Sequence, residues 1–129
     1  MFTRPFTATP ADIDELGHVN NAVWVRWIQE MATSHWVAVA PPDAQAAYVW
    51  VVVRHEIDYR GNVKLGDSVT GTTWIDSAPR GARFDRRVAF HDAAGKAVVE
   101  ANTTWALIDR ASGRIARVPK DLAALFYAG

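Results

Sequence analysis

From about Asn21 to Val39 the chain reads as a helix that is apolar almost all the way round, and this segment limits what the rest can be. Ala22, Val23, Trp24, Val25, Trp27, Ile28, Met31, Ala32 and Trp36 cover most of its circumference, leaving Arg26, Gln29, Glu30 and Thr33 as a narrow polar stripe. A surface helix shows a wider polar face, so this one is expected to be enclosed on most sides. At 1.5 Å per residue it would run roughly 28 Å, the width of a small domain. Pro41-Pro42 ends it, and Asn20 or Asn21 starts it, since an Asn side chain accepts from the exposed amides of a first turn.

The remaining segments read as strands. Phe2 to Ala8 forms the first, and Tyr48 to Tyr59 the second, with Val49, Val51, Val53, His55, Ile57 and Tyr59 on one face by alternation. Ser68 to Asp76, Arg83 to His91 and Lys96 to Asp109 follow, separated by turns at Pro79-Arg80-Gly81 and Asp92 to Gly95. Lys120 to Tyr127 predicts a short terminal helix. No repeat or linker-like shift divides the 129 residues, so residues 1–129 are expected to form one domain. The simplest arrangement is α+β: a five-stranded, largely antiparallel sheet wrapped around the long helix.

Fourteen basic and fourteen acidic residues cancel, so no overall field draws in nucleic acid or an anionic membrane, and an anionic ligand would need a local basic cluster. Without cysteine there is no disulfide or thiolate nucleophile. The four histidines lack the spacing of a zinc site, and no metal is expected. The opening residues lack the apolar stretch of a signal peptide, and the apolar run Tyr48 to Val53 is too short to span a bilayer, so a soluble cytoplasmic protein is expected.

The densest chemical signal is Asp12-Ile13-Asp14-Glu15-Leu16-Gly17-His18-Val19-Asn20-Asn21, which runs directly into the helix. A carboxylate ahead of a helix N-terminus meets unpaired N–H groups and a positive dipole end, which favour developing negative charge. Thioester hydrolysis needs those two parts, a donor for the oxyanion and a carboxylate to activate water or attack. Aspartates and asparagines there are also ordinary helix caps and turn residues.

The segment resembles the 4-hydroxybenzoyl-CoA thioesterase family, whose pattern runs Asp-x-Asp-x-x-Gly-His-Val-Asn-Asn. Glu56-Ile57-Asp58-Tyr59 with Leu65-Gly66-Asp67 is similar to that family's second strand and loop, and Arg110 to Pro119 to its closing strand and turn. The resemblance implies a hotdog fold and an acyl-CoA or aroyl-CoA thioesterase with Asp14 as nucleophile or general base. It implies that an amide at Asn21, with Ala22 beside it, polarises the carbonyl, and that Gly17 lets the loop approach the substrate closely. It further implies a site shared between subunits of a homodimer or homotetramer, with Arg80 and Arg83 near the coenzyme A phosphates. Coenzyme A would be part of the substrate, and no separate cofactor is implied. His18 is retained as a positioning residue. Leu16 stands where plant acyl-ACP thioesterases carry Asn, Asn62 where many relatives carry proline, and Gln29 where the aroyl-specific relative carries an aspartate for the ring hydroxyl.

Arg80, Arg83, Arg86 and Arg87 read equally as solvated strand positions. His55 reads as a core or interface histidine, His35 near the helix end as a cation on the dipole, His91 as a turn residue, and Glu30 as a partner for Arg26. Trp24 and Trp27 read as core, with Trp27 a candidate for lining an acyl pocket. An acyl-ACP thioesterase and a non-catalytic acyl-thioester binding module are the alternative functions.

Overall fold

The computed structural model of the chain describes residues 1–128. Strands β1 (Phe2–Thr7), β2 (Tyr48–Tyr59), β3 (Ser68–Trp74), β4 (Arg83–His91) and β5 (Ala97–Asp109) form one sheet in the order β1-β3-β4-β5-β2. Every neighbouring pair is antiparallel. Helix α1 (Asn21–Val39) and helix α2 (Pro42–Ala47) lie between β1 and β2, so β2 reaches the far edge of the sheet; helix α3 (Lys120–Ala128) closes the chain. The six-residue α2 was not anticipated, because one and a half turns after a double proline leave too little periodicity to read.

Asn20 is the N-cap of α1, its side chain accepting from the Ala22 amide at 2.9 Å. The buried face of α1 is Val23, Trp24, Trp27, Ile28, Met31, Ala32 and His35, a 3.6-residue stripe that packs on β1, β3 and β4. The opposite face, with Ala22, Arg26, Gln29, Thr33 and Val37, is exposed, and Val37 is 57% accessible. The expected enclosure on most sides is therefore corrected to burial along one face of the single chain. Gly71 of β3 permits the close packing of helix on sheet. A Cβ there would sit 2.7 Å from Met31 Sδ and 3.0 Å from the Phe90 ring.

The second correction concerns β2. Its register against β5 shifts between Val52 and Arg54, so Val53 is the extra residue of a β-bulge and strand parity switches there. Trp50 and Val52 are thus the better-covered residues before the bulge and His55 and Ile57 after it, whereas Val51 and Val53 are exposed. Tyr59, expected on the apolar face, is 44% accessible.

Two apolar clusters result. Under the first half of α1, Phe6, Trp24, Trp27, Ile28, Met31 and Phe90 pack together. Towards the other end, Phe84, Leu107, Leu122 and Phe126 gather Trp36 and Trp50 beneath α3.

Candidate active site

The loop between β1 and α1 is built around Asp12, only 4% accessible. Its Oδ2 accepts from the Thr9 amide at 2.9 Å and the Thr9 hydroxyl at 3.0 Å, and its Oδ1 from Arg26 Nη2 at 2.9 Å. The Thr9 amide, followed by the Arg26 guanidinium, holds the carboxyl below its ordinary value of 3.8. Asp12 thereby ties the loop to the second turn of α1. The sequence reading gave this aspartate no role; the available signal was its place three residues after Thr9, the spacing of a capping box.

Beyond Asp12 the chain makes a tight reversal. Ile13 bridges Val19, the Asp14 amide donates to His18 O at 2.8 Å, and the Gly17 amide donates to Asp14 O at 3.1 Å. Asp14 Oδ1 accepts from the amides of Leu16 at 2.9 Å and His18 at 3.1 Å. Its Oδ2 accepts no hydrogen bond among the described residues. One oxygen therefore fixes the carboxylate and the other remains open to a ligand. Gly17 is required by its φ of 79°, and a Cβ there would meet no protein atom within 4 Å.

At the helix start, the Ala22 amide is taken by Asn20 Oδ1 and the Val23 amide donates to Asn20 O at 2.9 Å. The Asn21 amide has no acceptor among the described residues. It is therefore the first-turn donor left for a ligand. Asn62 braces the same segment: its Nδ2 donates to Val19 O at 3.1 Å, its Oδ1 accepts from the Val63 amide, and the Val19 amide donates to Val63 O. His18 bridges Lys64 through the backbone in the same segment.

Other expected site residues lie elsewhere. Trp27 is 3% accessible and packs against Phe6 and Trp24, so it belongs to the core and not to a cavity wall. Glu30 lies 3.6 Å from Arg26 and 3.8 Å from Arg4. Arg80 grips Asp85 through two contacts, at 2.9 and 3.3 Å, which lowers the Asp85 carboxyl, and Arg83 is exposed on the same hairpin. Both arginines stand at the Arg83 end of β4. The Asp14 loop follows Thr7, which pairs with Ser68, close to the His91 end. Eight residues at about 3.3 Å each put those ends roughly 26 Å apart. In one chain, Asp14, Gly17, His18 and Asn21 come together and Arg80 and Arg83 do not join them.

A cavity of about 180 Å³ opens at the Arg83 end, lined by Trp36, Trp50, Phe84, Trp105, Phe126 and Arg86 among others. It is about 18 Å along α1 from Asn20, counting twelve residues to Ala32 on its wall. Arg86, read as a solvated position, is buried at 5% accessibility and shares the inward parity of Phe84, Val88 and Phe90, which was the missed signal. His35 is fully buried, and its Nδ1 lies 2.9 Å from Arg86 Nη1. A guanidinium can only donate, so Nδ1 accepts and His35 is no cation on the helix dipole. His55 Nδ1 lies 2.9 Å from Thr103 Oγ1, and burial lowers the histidine's pKa below 6.5. Among the described residues, no group of three or more His, Cys, Asp or Glu is placed to hold a metal ion, and no helix is long and apolar enough to cross a membrane.

The model of the Thioesterase-like superfamily matches residues 8–126, from just after β1 into α3. The chain belongs to this superfamily. With this match the chain is a thioester hydrolase. A search among curated proteins found no match. Among solved structures, a probable thioesterase from Escherichia coli is similar at a TM-score of 0.81 and 21% identity, covering 97% of this chain and 96% of that one. A thioesterase from Thermus thermophilus, complexed with coenzyme A and Zn, is similar at 0.83 and 21%, covering 96% and 95%. A 1,4-dihydroxy-2-naphthoyl-CoA thioesterase from Synechocystis is similar at 0.79 and 18%, covering 97% and 94%. These likenesses establish a hotdog-type fold, a five-stranded antiparallel sheet with one long helix among three.

Proposed function

We propose that this superfamily member is an acyl-CoA thioesterase of the 4-hydroxybenzoyl-CoA branch, in which Asp14 carries the chemistry. The observation that carries the reading is the half-used carboxylate: Oδ1 is pinned by the Leu16 and His18 amides, and Oδ2 is open just ahead of a helix whose Asn21 amide is unclaimed. The thioester carbonyl accepts from the Asn21 N–H, which strengthens as the oxygen becomes an oxyanion. Asp14 either takes a proton from an attacking water or attacks the carbonyl itself, and water then releases the acid. The carbon–sulfur bond breaks, coenzyme A leaves as the thiol, and one water is consumed. No separate cofactor takes part.

The reading includes at least a homodimer, with a tetramer of two dimers as the larger form. Among the described residues strand β2 pairs only with β5, and Val51 and Val53 lie exposed on it at 42% and 44% accessibility, an edge that invites pairing. Antiparallel pairing of two β2 edges across a two-fold axis sets the Tyr59 end of one chain against the Tyr48 end of the other. That brings the Asp14 loop of one chain towards the cavity and the Arg80–Arg83 hairpin of its partner, where the arginines would meet coenzyme A phosphates. The comparison with a coenzyme A complex supports the substrate class.

Thiol release from short, long and aromatic acyl-CoAs, alongside the same groups on acyl carrier protein, tests the proposal. Turnover of at least one acyl-CoA in preference to its carrier-protein counterpart is expected. Tight binding without thiol release from any substrate would replace the reading with a binding module.

A further inference from the structure

Arg86 is a buried cation with no counter-ion among the described residues. Its Nη1 donates to Thr73 Oγ1 and to His35 Nδ1, both at 2.9 Å, and its guanidinium lies 5.2 Å from the Phe126 ring centroid. The Nε and Nη2 donors have no acceptor among the described residues, and these two N–H groups form the edge of the fork that matches the two oxygens of a carboxylate. Burial lowers the guanidinium pKa to about 10, the sign of a charge taken from water without a paired anion. Charged groups are almost never fully buried unless paired, and an apolar side chain would fill this place at less cost to folding.

The surroundings define the missing partner. Arg86 forms part of the wall of the 180 Å³ cavity, whose lining contains no acidic side chain. A second arginine, Arg110, lines the same cavity but is exposed, so Arg110 marks the mouth and Arg86 the floor. Between them the wall is aromatic. An engineered cavity of about 150 Å³ takes one benzene ring, so the space here suits one ring or a chain of similar bulk.

We infer that this cavity is a binding site for a carboxylate carried on an apolar body of about one ring, with the carboxylate seated on the free edge of Arg86. The aromatic wall selects the body, and the buried cation selects against a neutral end group. The same chemistry arrives in two forms, as a free acid or as the far carboxyl of a dicarboxylic acyl thioester.

Calorimetric titration with cyclohexanecarboxylate and with cyclohexanecarboxamide tests the site. The acid is expected to bind wild type at least about tenfold more tightly than the amide, the lower range for a hydrogen bond to a charged group. Arg86→Met is expected to erase that difference. Equal affinities in wild type, or a difference that survives Arg86→Met, would overturn the proposal. The wild-type comparison stands alone if the variant does not fold. Hydrolysis of adipoyl-CoA against hexanoyl-CoA then separates the sources, and this arm alone rests on the thioesterase reading. A wild-type preference for adipoyl-CoA that falls in Arg86→Met assigns the carboxylate to the acyl group. No preference, with acid binding intact, assigns it to a free acid. Acid binding with neither thioester hydrolysed keeps the site and removes the thioesterase reading.

Discussion

Replacing Asp12 by alanine should unsettle the candidate active-site loop while removing none of the proposed reacting groups. The carboxylate accepts three hydrogen bonds, from the Thr9 amide, the Thr9 hydroxyl and Arg26. Bonds to a charged group contribute about 1.5–3 kcal/mol each before the freed donors are accounted for. The Arg26 side chain is 53% accessible and returns to water, so its share falls to about 1 kcal/mol or less. Both Thr9 bonds end on a carboxylate that is 4% accessible, and the total for Asp12→Ala is about 2–3 kcal/mol. At roughly 4 °C per kcal/mol for a chain of this size, the melting temperature should fall by about 8–12 °C. Urea denaturation followed by tryptophan fluorescence, at fixed protein concentration, measures the loss directly. Arg26→Ala should cost about 1 kcal/mol, because Asp12 keeps both bonds to Thr9. A loss within about 0.5 kcal/mol for Asp12→Ala, or equal losses for the two variants, would refute the view that Asp12 anchors the loop.

Gly71→Ala should destabilise the protein by about 1–3 kcal/mol, the usual cost of overpacking, since the rigid Phe90 ring must move along with Met31; an unchanged denaturation midpoint would contradict this. Gly17→Ala should cost about 1 kcal/mol through its positive φ, and steady-state kinetics should show a larger loss of kcat, because the same turn holds Asp14 Oδ1. Thermal melts across pH should decline in two stages. His55 has a folded-state pKa below 6.5, so the unfolded chain binds the proton more readily, and stability present above 6.5 is lost as pH falls below it. Asp12 and Asp85 are likewise lowered from 3.8, and their contribution is lost below that value. His55→Asn should make the first decline smaller, and a decline of unchanged size would contradict the assignment.

Much of this architecture was legible in the chain. The ends of α1 followed from Asn20 and the Pro41-Pro42 stop, because a cap and a missing amide act locally. The strand segments followed from β-branched and aromatic runs between turn residues. What escaped was set by pairing partners. The bulge at Val53 exists only as a mismatch with β5, so alternation read from β2 alone put Val51 on the covered face. An apolar circumference does not say how many sides have neighbours, and α1 finds cover on one. Arg86 looked like one of four surface arginines until the parity of β4 turned it inward. At the candidate site, Asp14, Gly17 and Asn21 were legible as a contiguous motif. The anchoring roles of Asp12 and Asn62 depend on Arg26 and Val19, residues 14 and 43 positions away, and local pattern is silent about those.

The most direct test of Asp14 as the reacting carboxylate is Asp14→Asn assayed by thiol release on the best acyl-CoA substrate. The amide oxygen still accepts from Leu16 and His18, so the loop and the melting temperature should be preserved while the reactive carboxylate is lost. A fall in kcat of at least ~100-fold with unchanged melting is the predicted result. Activity within a few-fold of wild type would mean that Asp14 only shapes the loop and that the hydrolytic carboxylate lies elsewhere.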